Sequence, residues 1–293
     1  MSLIIDSALA RRLVDEQFPQ WKDLPIRSVK HGGWDNRTFH LGTQMLIRMP
    51  SAERYAAKVE VEQYWLPKLA PFLPLPIPAP IAMGMPTTEY PWYWSIYTWI
   101  EGETAAHAAI HNLDNFAQSL ALFLLALQRI DVTGGPQPGL HNFYRGGSLH
   151  VYDIQTRQAL TLLQHKIDIK VATNLWEKAL STSWKKRPVW LHGDISLGNL
   201  LVVDGKLSAV IDFGGLAVGD PACDTSIAWT VFKETSREIF LSTLNLDKDT
   251  YIRGQAWALW KASIIAAGII ETNAVEREKS WYVIDEVLTD FQV

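Results

Sequence analysis

The chain contains 293 residues, of which 48% are hydrophobic and 20% charged, a composition typical of a folded globular protein that argues against extensive disorder. Its formal net charge of -4 disfavours nucleic acids and anionic membranes as partners, because both attract basic proteins. The single cysteine, Cys223, excludes an internal disulfide framework and a cysteine-rich zinc site. The first residues lack the basic start and apolar core of a signal peptide, so we expect a cytoplasmic protein.

The first third of the chain is predicted to be rich in β-structure. Its patterns predict a helix over 7–20, strands over 26–30, 37–41 and 44–48, and a helix over 52–69. Gly32 and Gly33 lie between the first two strands, where a glycine turn lets backbone N–H groups approach phosphates. Such a turn alone is more often only a hairpin. Five prolines within 71–80 then predict an extended connector, in preference to a binding motif for a partner domain.

An aromatic strand over 92–100 joins this part to a mainly helical remainder. Helical patterns cover 105–131, 151–180, 224–242 and 249–291. This change in composition predicts an α+β chain of two lobes, with a small β-rich N-terminal lobe over 1–98 and a larger, mostly α-helical C-terminal lobe over 99–293. A cofactor is expected in the cleft between the lobes.

Two short motifs in the second lobe resemble a kinase catalytic centre. His192-Gly193-Asp194 is followed by Asn199, and Asp212-Phe213-Gly214 comes next. Phosphoryl transfer needs a carboxylate beside the attacking hydroxyl group and oxygen ligands for magnesium. Asp194 fits the first role, and Asn199 and Asp212 fit the second. In the alternative interpretation, Asp194 is a turn residue, Asn199 caps a strand and Asp212-Phe213-Gly214 is an ordinary loop. This alternative requires all these residues to match the kinase pattern by chance.

A predicted β-hairpin connects the two motifs. Residues 200–203 and 207–211 are rich in β-branched and aliphatic side chains, and Asp204-Gly205 between them is a tight-turn sequence. Antiparallel pairing would bring Asn199 and Asp212 to the same end of the hairpin. His192 is interpreted as a buried, hydrogen-bonded support for the loop rather than an acid or base.

Residues of the first lobe are candidates for nucleotide binding. Arg48 is the only cation of the third strand and can bind two phosphate oxygens, with Glu62 as its predicted partner and Glu60 as second choice. Backbone groups of Thr98 and Ile100 are expected to pair with an adenine edge. Most of the tryptophans singled out, Trp92, Trp94, Trp99, Trp229, Trp257 and Trp260, are interpreted as core rather than as a cage for a cation.

Together these residues resemble the aminoglycoside phosphotransferase family, relatives of protein kinases that use ATP to phosphorylate hydroxyl groups of antibiotics and other small molecules. The resemblance is carried by Gly32, Gly33, Asn36, Arg48, Glu62, Glu101-Gly102, His192-Gly193-Asp194, Asn199, Asp212-Phe213-Gly214 and the stretch from Val218 to Asp224. It implies a two-lobe, protein-kinase-like fold. It also implies that Asp194 is the catalytic base, that Asn199 and Asp212 bind magnesium, and that the cleft binds ATP. Arg48 replaces the lysine usual in the family, which leaves GTP as an alternative nucleotide.

The segment after the metal motif bears on the size of the acceptor. Only seven residues separate Asp212 from Asp220, too few for the long activation segment on which a protein kinase places its substrate. Asp220 followed by Pro221 is interpreted as the start of a helix running to Trp229, and Asp224 as a first-turn carboxylate, in preference to a residue facing the substrate cleft.

The predicted function is therefore ATP- and magnesium-dependent phosphorylation of a small-molecule hydroxyl group. Residues 99–293 hold 22 acidic and 17 basic side chains, which permits a cationic acceptor such as an aminoglycoside without requiring one. A metabolic kinase acting on choline-, homoserine- or amino-sugar-type compounds shares every motif, and a nucleotide-binding regulator without turnover is a third hypothesis. No nucleic acid or membrane partner is expected, and the chain is expected to be a monomer or a homodimer.

Overall fold

The computed structural model describes residues 3–29 and 35–292, and it confirms the predicted α+β, kinase-like class. The helices are α1 (Ser7–Gln17), α2 (Glu53–Leu69), α3 (Leu113–Gln128), α4 (Asp153–Leu163), α5 (Ile169–Leu180), α6 (Ala222–Thr225), α7 (Ile227–Thr230), α8 (Glu234–Leu244), α9 (Lys248–Ala266) and α10 (Ala274–Gln292). The strands are β1 (Ile26–Ser28), β2 (Asn36–Leu41), β3 (Met45–Pro50), β4 (Pro80–Gly84), β5 (Trp94–Thr98), β6 (Glu103–Thr104), β7 (Val189–Leu191), β8 (Leu200–Val203), β9 (Lys206–Val210) and β10 (Ala217–Gly219).

An antiparallel sheet of five strands, in the order β1-β2-β3-β5-β4, forms the first part of the protein. Helix α1 begins where Asp6 accepts a hydrogen bond of 2.8 Å from the backbone N–H of Leu9. The apolar side of α1 packs with inward-facing residues of the sheet, including Phe39, Ile47 and Trp94. Strand β4 was not predicted, and the proline-rich stretch before it begins with a 3₁₀ turn, Ala70–Phe72, rather than with extended chain.

A second and larger core is formed by the helices that follow. Trp176, Trp190 and Trp229 are among its largest fully buried side chains, as expected for large apolar rings. The interpretation of most of the selected tryptophans as core holds for Trp94, Trp229, Trp257 and Trp260. Along residues 3–29 and 35–292, no helix has both the length and the apolarity needed to cross a membrane. The division into lobes at residue 98 stays a prediction.

The prediction of four long, continuous helical stretches is wrong, because non-helical residues lie within each of them. Residues 105–112 are not α-helical, and Asn112 caps the start of α3. The stretch over 151–180 is broken between α4 and α5, where Asp168 caps the second helix. Residues 231–233 and 267–273 interrupt the last two stretches, the latter with Gly268 at a φ of 71°. Asn112 and Asp168 start new helices as N-caps, and the positive-φ Gly268 follows the end of α9, so the predicted stretches are divided.

The predicted hairpin around Asp204-Gly205 is confirmed. Strands β8 and β9 pair in antiparallel fashion, and both turn residues have positive φ angles, 49° and 70°, as a two-residue hairpin turn requires. The backbone N–H of Ile211 donates to the carbonyl of Asn199 at 2.9 Å, which extends the pairing by one step. Asn199 therefore lies opposite Ile211, the residue just before Asp212.

Candidate active site

The loop that carries Asp194 is held against the turn that carries Asp212. Strand β7 precedes the first loop and pairs with β10, which follows the turn. Gly193 has a φ of 83°, and a Cβ added there would lie 2.2 Å from the carbonyl oxygen of Gly215. Only glycine fits this position, because a side chain would collide with the neighbouring backbone.

His192 supports this loop from inside the protein. Its side chain is buried, its Nδ1 accepts a hydrogen bond of 3.2 Å from the backbone N–H of Asp194, and its Nε2 lies 3.0 Å from the carbonyl of Ile211. Because Nδ1 is the acceptor, the proton is assigned to Nε2, which donates to Ile211. The interpretation of His192 as a buried support is confirmed.

Asp194 and Asn199 are in direct contact. The Asn199 Nδ2 atom donates to the Asp194 backbone carbonyl at 2.8 Å and to its Oδ2 atom at 3.1 Å. These bonds orient the amide so that its oxygen points away from Asp194. The carboxylate of Asp194 remains exposed.

Asp212 has an unusual backbone conformation, with φ and ψ of 63° and 69° in the left-handed region. A non-glycine residue in this region is uncommon, and such residues often occur at functional sites. Its Oδ1 atom accepts a hydrogen bond of 2.8 Å from Arg48 Nη2, and 34% of the side chain is exposed. Among residues 3–29 and 35–292, no hydrogen bond engages its second carboxylate oxygen.

Arg48 connects three elements. Its Nη1 atom lies 3.2 Å from both carboxylate oxygens of Glu62 on α2, and its Nη2 atom reaches Asp212. Glu62 is buried and also accepts a hydrogen bond from the hydroxyl group of Tyr97 on β5. The predicted contact with Glu62, rather than with the exposed Glu60, is therefore present.

The charges of this cluster shift the acidity of its members. Burial alone would raise the pKa of Asp212, but the charge and hydrogen bond of Arg48 outweigh it, so that this pKa lies below its usual value. Burial would likewise lower the pKa of Arg48, whereas Glu62 and Asp212 raise it well above the usual range. Both side chains are therefore charged at neutral pH.

Asp224 lies in the first turn of α6, as predicted, and its carboxylate also supports the loop that carries Asp194. Only 1% of it is exposed, and its two carboxylate oxygens accept hydrogen bonds from the backbone N–H groups of His192 at 2.7 Å and Gly193 at 2.8 Å. Burial raises its pKa, although His192 and these two bonds oppose the shift. Asp224 thus fixes the backbone next to Asp194. An acidic residue directly after the apolar stretch Pro221-Ala222-Cys223 was the available sequence signal.

Asp220 also differs from its predicted role. Its Oδ1 atom does accept from the Ala222 N–H at 3.0 Å, but its Oδ2 atom lies 2.6 Å from Nε of the buried Arg253. The helix predicted to run to Trp229 is divided at Ser226 into α6 and α7. The main partner of Asp220 is thus Arg253.

Lys58 is a cation near this site that the sequence analysis missed. Its ammonium group lies 2.7 Å from the carboxylate of Asp35, and a Cβ added to Gly214 would lie 3.3 Å from it. Lys58 precedes Glu62 by four residues on α2, so the two face the same side of the helix. That spacing could have revealed it. Lys58, Arg48, Asn36 and Gly214 all line one small cavity.

The remaining predicted nucleotide contacts lie at and beyond the end of β5. The N–H of Thr98 donates to the carbonyl of Ala79 at 3.0 Å, so this N–H is already engaged within the protein. Ile100 lies in the loop beyond β5. Gly32 and Gly33 lie outside the described residues.

Residues 27–258 match the model of the phosphotransferase enzyme family. The chain belongs to this family. The match covers most of the chain and confirms the family predicted from the sequence.

Individual relatives within the family agree with this assignment. An aminoglycoside 3'-phosphotransferase of Salmonella typhimurium is 30% identical over 153 residues, which cover 49% of this chain and 54% of the relative. The chain thus spans about half the length of this relative. An aminoglycoside 3'-phosphotransferase of Escherichia coli matches with the same identity and coverage.

Solved structures show the same fold over nearly the whole chain. A GDP and kanamycin complex of APH(2")-IIia superposes with a TM-score of 0.70 at 18% identity, covering 96% of this chain and 99% of that structure. The macrolide 2'-phosphotransferase MphH of Brachybacterium faecium superposes with a TM-score of 0.61 at 21% identity, covering 94% and 98%.

Proposed function

We propose that this protein transfers the terminal phosphoryl group of a nucleoside triphosphate to a hydroxyl group of a small molecule. The observation that carries the proposal is the position of Arg48, which ties Glu62 to Asp212 while Asp194 and Asn199 stand in contact on the neighbouring loop. The family assignment and the names of the relatives support it.

The oxygen groups of this site fit a magnesium ion. Asn199 donates its amide N–H groups to Asp194, which leaves the amide oxygen as a ligand, and Asp212 offers one free carboxylate oxygen. Within residues 3–29 and 35–292 there is no group of three His, Cys, Asp or Glu residues able to hold a metal alone. Two protein oxygens, with water and phosphate oxygens, are a donor set that magnesium commonly uses. When bound, the ion would offset charge on the phosphate oxygens.

In the proposed mechanism, Asp194 accepts the proton of the acceptor hydroxyl group as that oxygen attacks the terminal phosphorus, and the bond from phosphorus to the leaving nucleoside diphosphate breaks. Its exposed position and its hydrogen bond from Asn199 suit this task. Arg48 and Lys58 would contact phosphate oxygens and stabilise the charge that develops on them. Asp224 acts indirectly, because it fixes the backbone before Asp194.

The nucleotide would lie along the cavity lined by Asn36, Arg48 and Lys58, with its base toward the chain after β5. The carbonyl of Thr98 and the N–H of Ile100 would pair with the base. Solved structures of similar fold include complexes with GDP and with ATP, so GTP and ATP are both candidate phosphoryl donors. The short segment between Asp212 and Asp220 favours a small-molecule acceptor.

The experiment for this proposal has two parts that do not require the acceptor to be known. Magnesium with ATP or GTP should raise the melting temperature of the purified protein, since a ligand that binds only the folded state stabilises it. A coupled ATP-consumption screen over aminoglycosides, macrolides, choline-like alcohols and sugars should then show acceptor-dependent turnover. If the nucleotide stabilises the protein but neither phosphoryl transfer to any compound nor hydrolysis of the nucleotide is observed, the result would instead favour a nucleotide-binding regulator.

A further inference from the structure

Arg145 lies beside the loop of the proposed catalytic base. A Cβ added to Gly193, the residue before Asp194, would lie 3.1 Å from the Cβ of Arg145. The Arg145 guanidinium carbon lies 5.0 Å from the ring centre of Trp257 and 5.6 Å from that of Trp260 on α9. The two rings cross at 82°, so the guanidinium group lies in a corner formed by aromatic faces.

A second cation, Lys261, follows directly after Trp260 on the same helix. The pKa of its ammonium group is lowered, first by loss of hydration and next by the positive charge of Arg145, while Asp194 opposes the shift. Lys261 is therefore a second cation in the region of Arg145 and Asp194.

Neither cation has a carboxylate partner among residues 3–29 and 35–292, since no ion pair of Arg145 or Lys261 lies within the 4.0 Å that defines one. The acidic groups that influence Lys261 besides Asp194 are engaged elsewhere, Asp35 with Lys58 and Glu276 with the hydroxyl group of Thr272. Both oxygens of Asp224 are likewise occupied by backbone N–H groups.

We infer that the acceptor carries an anionic group, a carboxylate or a phosphate, which binds to Arg145 beside the loop of Asp194. The planar guanidinium group suits two-point binding of either anion, and it lies against the rings of Trp257 and Trp260. An unpaired cation in this position would oppose a polycationic acceptor in the same place. This inference rests on the proposed function and narrows its acceptor class, which the overall charge of residues 99–293 left open.

A set of sugars with one skeleton tests the inference in the purified full chain. Gluconate carries a carboxylate, glucose 6-phosphate a phosphate, glucose no charge and glucosamine a positive charge. Phosphoryl transfer from Mg-ATP is measured for each. A preference for either acid supports the inference and tells the two anions apart, whereas a preference for glucosamine or kanamycin would overturn it.

A binding measurement gives a result even if none of these sugars is the acceptor. Tryptophan fluorescence is followed while malonate or methylphosphonate is added to protein saturated with magnesium and a non-hydrolysable ATP analogue, which keeps the nucleotide site filled. Arg145→Gln should weaken anion binding by about tenfold or more, the usual effect of losing a charge-assisted hydrogen bond. The exposed Arg129→Gln is the matched control and should bind as the parent does.

Absence of anion binding, or equal binding by the parent and Arg145→Gln, would refute the inference. The proposed function would be unaffected by that result as long as Mg-ATP still stabilises the protein, because stabilisation by nucleotide does not depend on the acceptor. Arg145→Gln should itself retain nucleotide stabilisation, which shows that the variant is folded.

Discussion

Arg48 and Asp212 lie 164 residues apart in the sequence and are joined by a hydrogen bond of 2.8 Å. The same guanidinium group holds Glu62, so one side chain links β3, α2 and the loop of the proposed metal ligand. An arginine can make both contacts because its planar fork carries donors that point in two directions. This arrangement gives a physical reason for arginine where the family usually has lysine.

Replacement of Arg48 by lysine should weaken nucleotide binding, although lysine is the usual family residue. A single ammonium group on a shorter stem cannot hold Glu62 and Asp212 in the geometry that the fork provides. We expect the KM for ATP to rise by about tenfold, the loss expected for one charge-assisted hydrogen bond. Steady-state kinetics checks this. Arg27→Lys, at an exposed position on β1, serves as the control, and an unchanged KM in Arg48→Lys would refute this role for the fork.

Asp194→Asn should abolish most of the transfer while nucleotide binding persists. An amide cannot take the proton of the acceptor, and loss of a general base typically lowers kcat by about 10²–10⁴. The change is measured as acceptor-dependent ATP consumption together with the thermal shift caused by Mg-ATP. Asp204→Asn is the control, because it makes the same chemical change in the hairpin turn, where Asn-Gly forms the turn as well as Asp-Gly does. This variant should turn over as the parent does. Turnover by Asp194→Asn at the parent rate would show that Asp194 is not the base.

Asp224→Asn should lower both stability and turnover. One amide oxygen can replace one carboxylate oxygen, but the NH₂ group would face a backbone N–H, so one buried donor loses its partner. Such a loss costs about 1–3 kcal/mol in the free energy of unfolding. Urea denaturation measures it. Asp249→Asn, an exposed first-turn carboxylate of α9, is the control and should lose no more than ~1 kcal/mol. Equal losses in the two variants would favour the first-turn interpretation of Asp224.

The Arg48–Asp212 contact should also appear in the acid dependence of stability. The pKa of Asp212 is lowered from its ordinary value of 3.8, so the carboxylate stabilises the folded state above that pH, and this contribution is lost as the pH falls through the lowered pKa. Asp212→Asn should therefore lose less free energy of unfolding than the parent between about pH 5 and pH 2. Denaturation at several pH values tests this. Asp204→Asn should keep the parent's slope, and an identical slope in Asp212→Asn would contradict the assigned shift.

Local patterns in the sequence were sufficient for part of the site. The Asp204-Gly205 turn between two β-branched segments specifies the hairpin, and the hairpin places Asn199 beside the residue that precedes Asp212. The cation on β3 and a glutamate on the next helix were likewise enough to predict the Arg48–Glu62 contact.

Contacts between distant parts of the chain were not predictable in the same way. Asp224 bonds to the backbone 32 residues before it, and no local pattern encodes that partner. The salt bridge of Lys58 with Asp35 depends on how α2 packs against the sheet. Helix ends were also missed, since caps such as Asp168 interrupt segments whose apolar periodicity continues on both sides.

The central claim is that Asp212 and Asn199 hold a divalent ion, whereas Asp194 serves as the base. Electron paramagnetic resonance of Mn²⁺, used in place of magnesium with a non-hydrolysable ATP analogue, tests this division directly. The account predicts that Asp212→Asn markedly weakens the bound Mn²⁺ signal and that Asp194→Asn retains it. A parent-like signal from Asp212→Asn, with loss of the signal from Asp194→Asn, would contradict it.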